Sequence, residues 1–242
     1  MPKKLIGIVP TIVLNTNDDP YEDRYQFVNN YPKKVFKSGA VPLGILLNDG
    51  ILDEESLKIY NAFIIPGGKK IDHNIYKIIN YAYKNSKPIL GVCMGMQALT
   101  IYSIMLDECQ KRNLDINDEK VKQIIYDDLK ENNPMLVKIS EDKIQNHFHV
   151  ATRTNLDEVK HEINILPNTI LSEFYKESKI NVVSLHSTMV TRVGSIFKIN
   201  AMSEDNIIEG IENKEHGILG VQYHPEIVDD TLIEYFINNF VK

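Results

Sequence analysis

Cysteine is scarce in this chain of 242 residues, which contains only Cys93 and Cys109. Two cysteines are too few for a disulfide framework and suit a reducing compartment. Long apolar runs are also missing. No stretch approaches the roughly 20 apolar residues of a membrane-spanning helix, and the apolar run at residues 5–9 is too short for a signal peptide. These absences predict a cytoplasmic location and argue against a membrane as partner.

Blocks of like charge are absent too, although the formal net charge is −6. Since there is no basic patch, nothing predicts a nucleic-acid partner, and we expect a small-molecule ligand instead. Hydrophobic residues make up 43% of the chain and charged residues 25%, the proportions of an ordinary globular protein. No linker, repeat or low-complexity segment interrupts the chain, so we predict a single domain over residues 1–242.

Short β-rich runs alternate with helical stretches in the first half of the chain. We predict strands at residues 5–9, 41–47, 62–65 and 89–92, and helices at residues 23–38, 72–85 and 95–106. Strands separated by such helices indicate βαβ units and a parallel sheet. The last third has predicted strands at residues 181–185, 197–202, 207–211 and 218–223, and a helix at 229–240. The predicted fold class is α/β, with a mainly parallel central sheet and helices on both faces.

The segment at residues 107–133 differs from the rest because it is polar and charged. Asn117 is a candidate helix cap, and the apolar side chains beyond it share one helical face. Pro134 ends this predicted helix. We interpret the segment as an insertion in the domain or as a lid over a pocket.

The sequence Gly91-Val92-Cys93-Met94-Gly95 joins a buried strand directly to a helix. Gly-x-Cys-x-Gly in this position is the cysteine form of a nucleophile elbow, a tight turn that exposes the nucleophile above the sheet. A helix N-terminus favours the thiolate of a cysteine. The backbone N–H of Met94 is left free to donate to an oxyanion. The alternative is a buried structural cysteine in a glycine-rich turn.

Two further segments follow strand candidates. His224-Pro225-Glu226 offers an imidazole as base and a carboxylate that orients it, the partners that a thiol nucleophile needs. Gly67-Gly68 follows the third strand and allows close approach of the backbone to a ligand, so an N–H there is a second oxyanion donor. The carboxyl ends of parallel strands lie along one edge of the sheet, where ligands bind. Each segment alone is also compatible with an ordinary surface turn.

Together these segments resemble the class I glutamine amidotransferase-like family. The similarity is greatest to its γ-glutamyl hydrolase branch, which includes γ-glutamyl-γ-aminobutyrate hydrolase and belongs among the peptidases. The matching motifs are Gly7-Ile8-Val9-Pro10, Pro66-Gly67-Gly68, Gly91-x-Cys93-x-Gly95-x-Gln97 and Gly220-x-Gln222-x-His224-Pro225-Glu226.

The resemblance implies a catalytic triad of Cys93, His224 and Glu226. In such a triad Cys93 attacks the carbonyl of a γ-glutamyl amide, and a γ-glutamyl thioester forms. It also implies an oxyanion hole built by Gly68 and Met94. The implied substrate contacts are Gly67, Gln97, His186 and Ser187.

Some positions depart from the branch and leave other functions open. His186-Ser187 stands where the branch has two histidines, and the His-Ser pair instead resembles glutaminase subunits that supply ammonia to a synthase partner. Asn206 stands where Asp-Gly is usual. A catalytically silent binding or regulatory protein of the same fold is the third alternative. The sequence leaves a homo-oligomer open.

Metal and organic cofactors are not expected from the sequence. His147 and His149 would share one face of a predicted strand, but no cysteine or carboxylate at ligand spacing accompanies them. We therefore interpret them as part of a solvated or pocket-lining strand.

Overall fold

A sheet of nine strands forms the centre of the protein. The computed structural model describes residues 3–13, 24–46, 52–68, 71–149, 151–152 and 154–242. The strand order in the sheet is β4-β1-β5-β6-β13-β12-β11-β8-β9. The strands of this sheet are β1 Leu5–Ile8, β4 Val41–Gly44, β5 Ala62–Ile65, β6 Ile89–Val92, β8 Lys160–Ile165, β9 Lys179–Val183, β11 Lys198–Ser203, β12 Ile208–Asn213 and β13 Ile218–Val221.

Five of these strands pair in parallel, from β4 at the edge to β13 in the middle. Each of β5, β6 and β13 is buried along its whole length, as expected where both faces of a parallel sheet are covered. The first four predicted strands correspond to β1, β4, β5 and β6. The carboxyl ends of β5, β6 and β13 therefore lie side by side, and they carry Gly67, Cys93 and His224.

The other half of the sheet is antiparallel, through β12, β11, β8 and β9. Two small antiparallel pairs lie outside the main sheet. They are formed by β2 Thr11–Val13 with β3 Arg24–Gln26, and by β7 Leu136–Lys138 with β10 Thr188–Val190.

Helices cover both faces of the sheet, as predicted. One core contains the apolar faces of α1 Asn30–Lys37 and α7 Leu232–Phe240, and the other contains those of α2 His73–Lys84 and α3 Met94–Arg112. The short helix α6 Ile170–Tyr175 adds Ile170 and Leu171 to the first core. No helix in the described ranges is long and apolar enough to cross a bilayer.

Several predicted boundaries were wrong. The helix expected at 23–38 begins only at Asn30, because residues 24–26 pair with β2. The helix expected at 95–106 continues to Arg112. His147 is the last residue of the helix α5 Glu141–His147, so no strand carries His147 and His149 on one face.

The polar segment is part of two packed helices. Residues 107–112 complete α3, and the helix α4 Glu119–Asn132 follows. Asp118, not Asn117, caps α4, because its carboxylate accepts from the N–H of Lys120. Ile125 and Leu129 are buried in the core shared with α3. The lid function of this segment stays a prediction.

Candidate active site

Cys93 lies in a strained turn between β6 and α3. It is the N-cap of α3 and has a φ of +52°, a conformation that costs energy for any residue other than glycine. The neighbouring glycines are required by packing. A Cβ on Gly95 would lie 2.1 Å from the carbonyl oxygen of Ile65, and one on Gly91 would lie 2.6 Å from the backbone of Gly95. The tight turn between strand and helix that Gly-x-Cys-x-Gly predicts is therefore present.

His224 and Glu226 follow β13 and form a hydrogen-bonded pair. The distance from His224 Nδ1 to Glu226 Oε1 is 2.7 Å, and both side chains are buried. Since Nδ1 is bonded to the carboxylate, Nε2 is free for the thiol. A Cβ on Gly67 would lie 2.8 Å from His224 Cε1 and 3.4 Å from Cys93 Cβ. Gly67, Cys93 and His224 are therefore in one place, as the parallel sheet predicted.

The pKa of His224 is strongly perturbed. Burial lowers this pKa, but the Glu226 carboxylate and the neighbouring Cys93 thiol overcome that effect and raise the pKa to about 10. His224 is therefore an imidazolium at neutral pH. A thiol beside a charged imidazole can act as a nucleophile, and the imidazolium can supply a proton to a leaving group.

Gly68 and Met94 lie next to each other above the elbow. A Cβ on Gly68 would be 3.0 Å from the sulfur of Met94. Met94 is the first residue of α3, where backbone N–H groups have no partner within the helix. The N–H of Gly67 is not free, since it donates to the Tyr31 hydroxyl at 3.0 Å. The Gly67 N–H is therefore occupied, and the oxyanion role of Gly68 and Met94 stays a prediction.

A pocket opens in front of Cys93. Its floor is formed by Cys93, Met94 and Gln97, and the segment at residues 185–188 forms one wall. The helix α4 contributes the rim on the other side through Tyr126, Lys130 and their neighbours. An electrophile that reaches Cys93 in this pocket is within reach of the α3 N-terminus.

Nearly all of this chain matches one known protein family. The family model of the class I glutamine amidotransferases matches residues 22–242. The chain belongs to this family. The fold and the family expected from the sequence are thereby confirmed, whereas the γ-glutamyl hydrolase branch is not.

Some similar proteins match along nearly their whole length, whereas synthases match over only part of theirs. A putative glutamine amidotransferase-like protein of Rickettsia prowazekii is 24% identical, over 96% of this chain and 94% of its own length. The CTP synthase of Methanosphaera stadtmanae is 26% identical over 85% of this chain, but only 38% of its own length is covered. Among solved structures, the CTPS glutaminase domain of Trypanosoma brucei, with bound acivicin, has a TM-score of 0.67 at 16% identity, over 97% of this chain and 91% of that one.

Tyr31 is a residue of the site that sequence reasoning missed. Its hydroxyl accepts from Gly67 and lies beside Glu226. Burial, together with the Glu226 carboxylate, raises the pKa of Tyr31 well above its ordinary value, so the hydroxyl keeps its proton. Tyr31 therefore connects the Gly67 turn to the acid behind His224. No spacing in the sequence indicates this role, because α1 lies far from both motifs along the chain.

Gln97 braces the elbow. Its side-chain amide donates to Gln222 Oε1 at 3.1 Å and to the carbonyl oxygen of Thr188 at 3.2 Å. These bonds tie the first turn of α3 to the residue that follows β13 and to the pocket wall. The contacts of Gln97 thus support a bracing role, and its role as a substrate contact stays a prediction.

His186 and Ser187 both lie in the pocket wall, but they face different ways. Ser187 is exposed in the wall. His186 is buried, and its Nδ1 donates to the carbonyl oxygen of Thr188 at 3.0 Å. The Nε2 atom of His186 lies 3.4 Å from the buried carboxylate of Glu209. The imidazole is thus directed at a second group of buried residues.

Proposed function

We propose that this amidotransferase-family protein hydrolyses a γ-glutamyl amide through a γ-glutamyl thioester on Cys93. The observation that carries the proposal is the position of Cys93 at the N-terminus of α3, beside an imidazole that is hydrogen-bonded to Glu226. The substrate is a small molecule, and the chemistry needs neither a metal nor an organic cofactor. We also propose a cytoplasmic location, since the two cysteines are free thiols.

The reaction proceeds in two halves. The Cys93 thiolate attacks the amide carbonyl, and the N–H groups of Gly68 and Met94 stabilise the oxyanion. His224 gives its proton to the leaving amine as the C–N bond breaks, and the thioester remains. Water then attacks the thioester, His224 takes up one proton of that water, and glutamate leaves as the Cys93 thiolate is restored. The net change is amide plus water to glutamate plus amine.

A free-standing hydrolase is the form that we favour, acting on a γ-glutamyl amide other than glutamine itself. The match with the Rickettsia prowazekii protein supports this choice, because it extends over nearly the whole of both chains. The opening motif Gly7-Ile8-Val9-Pro10, which resembles the γ-glutamyl hydrolase branch, supports it as well.

A glutaminase that delivers ammonia to a synthase is the second candidate. The similarity to the CTP synthase of Methanosphaera stadtmanae and to the glutamine-hydrolysing GMP synthase of Dictyostelium discoideum favours it. The chain corresponds to 38% and 21% of the length of these enzymes. His186-Ser187 is the sequence feature that agrees with this candidate.

Labelling with an electrophilic glutamine analogue tests the nucleophile. We expect the analogue to attach to Cys93 and not to Cys109, because burial raises the pKa of Cys109 and that thiol has no imidazole partner among the described residues. Peptide mapping by mass spectrometry identifies the labelled thiol, and Cys109→Ser is the matched control. Labelling of Cys109, or no labelling together with no turnover, would favour a catalytically silent binding protein.

A substrate panel separates the two enzymatic candidates. The purified chain is assayed with glutamine and with a series of γ-glutamyl amines, and release of glutamate is measured. A free-standing hydrolase turns over at least one γ-glutamyl amine faster than glutamine. A chain that is labelled at Cys93 but hydrolyses none of them, and gains glutaminase activity when a synthase is added, belongs to the second candidate.

A further inference from the structure

A second group of buried ionisable side chains lies in the antiparallel half of the sheet. Three imidazoles converge on one carboxylate oxygen, Glu209 Oε1. The three distances are 3.3 Å from His147 Nδ1, 3.7 Å from His161 Nε2 and 3.4 Å from His186 Nε2. Glu209 is completely buried, and the most exposed of the three histidine side chains is His161 at 10%.

The converging atoms have no hydrogen-bond partner among the described residues. This holds for His147 Nδ1, His161 Nε2, His186 Nε2 and both carboxylate oxygens of Glu209. A buried polar atom without a partner costs about 1–3 kcal/mol, and more when it is charged. Several such atoms around one point therefore indicate that something else satisfies them.

In two of the three histidines, the ring nitrogen that faces away from Glu209 has a hydrogen-bond partner. His147 Nε2 donates to the Asp205 carboxylate at 3.0 Å, and His186 Nδ1 donates to the carbonyl oxygen of Thr188 at 3.0 Å. Each bond makes the outer nitrogen a donor, so in the neutral form of the ring the inner nitrogen carries the lone pair. A metal-binding histidine has this pattern, in which its second nitrogen donates to a carboxylate or a backbone carbonyl.

We propose that His147, His161, His186 and Glu209 bind one structural zinc ion. The three distances to Glu209 Oε1 are close to the roughly 3.3 Å between ligand atoms that zinc at 2.0–2.1 Å from four tetrahedral ligands implies. His147, His161 and Glu209 each offer a ligand atom within 4.8 Å of the other two, and His186 joins them through its contact with Glu209. Four protein ligands in a buried position form a closed site, which is typical of structural zinc and leaves no place for a substrate.

The protonation state of the free ligands is compatible with a metal. Burial lowers the pKa of His161 to about 4, so this imidazole is neutral at physiological pH. Burial acts to raise the pKa of Glu209, but the histidines around it lower that pKa to about 2, so Glu209 is a carboxylate. At His147 burial acts to lower the pKa, but Glu209 and Asp205 outweigh burial and raise it. A proton on His147 is therefore the competitor for the metal.

Zinc at this position would connect four elements. The ligands come from α5, β8, β12 and the segment after β9, which continues into the pocket wall through Ser187 and Thr188. Glu209 also accepts a backbone hydrogen bond from Gln222, two residues before His224. The metal thus holds the pocket wall against the strand that carries the catalytic imidazole.

Metal content is the measurement that tests the site. The full chain is purified without added chelator, then unfolded with a chelator and refolded with and without zinc, because a closed site fills only during folding. We expect about one zinc per chain in the wild type by elemental analysis. Refolding without zinc should lower the thermal midpoint, and zinc should restore it.

Variants locate the metal. His161→Gln and Glu209→Gln should lose the zinc, while Asp205→Asn, which alters only the partner of His147, should weaken zinc binding about 10–100-fold. His149→Asn is the matched control, because His149 lies two residues from His147 and outside the cluster. His161→Gln, at the rim of the cluster, is the variant least disruptive to folding.

Cobalt substitution distinguishes this site from metal binding at Cys93. Tetrahedral cobalt bound by three imidazoles and a carboxylate shows visible d–d bands without a sulfur-to-metal charge-transfer band. If the wild-type chain takes up no zinc on refolding, the proposal is wrong. The cluster would then be a network in which protons, and not a metal, link the histidines to Glu209. The proposal also fails if Cys93→Ser abolishes zinc binding, or if His161→Gln and Glu209→Gln bind zinc as well as His149→Asn.

Discussion

Two buried carboxylates of this protein sit among imidazoles, yet their surroundings differ. Glu226 binds one imidazole, that of His224, through a hydrogen bond of 2.7 Å. Glu209 faces three imidazoles at 3.3–3.7 Å and has a hydrogen bond with none of them. Glu226 thus pairs with one ring nitrogen, whereas three ring nitrogens converge on one oxygen of Glu209. The comparison separates one imidazole paired with one carboxylate, which we propose for proton transfer, from three imidazoles around one carboxylate, which we propose for zinc.

Replacing each carboxylate by an amide separates the two arrangements. Glu226→Gln should lower kcat about 10⁴-fold, the loss found when the acid of a comparable triad becomes an amide, because His224 loses its orientation and its charge. Glu209→Gln should instead lower the thermal midpoint and the zinc content, with a smaller effect on turnover. Steady-state kinetics and thermal unfolding of both variants measure this. A larger kinetic defect in Glu209→Gln would reverse the assignment.

The pKa of His224 tests its pairing with Glu226. Burial lowers its pKa, but Glu226 and Cys93 raise it to about 10 overall, above the ordinary value of about 6.5. The contribution of this group to stability is therefore complete below about pH 6.5 and is lost as the pH rises through about 10. In Glu226→Gln the pKa should fall markedly, since its largest raising influence is gone.

The measurement is the NMR titration of the His224 ring proton in the wild type and in Glu226→Gln. The ring protons of His216, whose Nδ1 is hydrogen-bonded to the Asn213 side chain, serve as the internal control. A wild-type His224 that titrates near pH 6.5 would contradict the ion-pair description of the site.

Glycine-to-alanine variants test how tightly the backbone is packed near Cys93 and near Glu209. Gly95→Ala should destabilise the fold by about 3 kcal/mol, because the new Cβ would meet the backbone oxygen of Ile65. Gly210→Ala, next to Glu209, should cost about 1 kcal/mol, since the nearest atom belongs to the side chain of Asn200. Urea unfolding at one pH measures both. Equal losses would mean that the elbow relaxes more easily than its contacts indicate.

The smallest effect is expected at the rim of the pocket. Lys130 is an exposed cation at the pocket edge of α4, and the α-carboxylate of a γ-glutamyl substrate is an anion. Lys130→Ala should therefore raise KM about two- to threefold with little change in kcat, as expected for a solvated charge pair. Lys120→Ala, on the same helix and away from the pocket, is the control. A change in kcat alone would argue against substrate capture by α4.

The parallel half of the fold was predictable because its signals are local. A strand followed by Gly-x-Cys-x-Gly or by His-Pro-Glu is contained in a few residues, and a parallel sheet places such strand ends along one edge. The predicted positions of Cys93, His224 and Gly68 followed from this rule. The family resemblance added the roles that spacing alone leaves open.

The antiparallel half was not predictable in the same way. His147, His161, His186 and Glu209 come from four separate elements, and no interval between them in the sequence matches a metal-binding spacing. Their convergence depends on the order β12-β11-β8-β9, which long-range pairing decides. The local pattern around His147 predicts a strand, although this residue ends a helix. Tyr31 was missed for the same reason, since its contact with Gly67 spans two elements.

The amino-acid sequence by itself determined the family, the α/β class and the residues of the elbow. The family follows from the resemblance of the motifs. Local backbone chemistry and strand periodicity are sufficient for the α/β class and the elbow, because each depends on neighbours along the chain. The tertiary structure alone decided which atoms face one another: the hydrogen bond from Gly67 to Tyr31, the hydrogen bond from Gln97 to Gln222, and the three imidazoles around Glu209. Burial and distance set the charge of these groups, and both arise only when remote segments pack together.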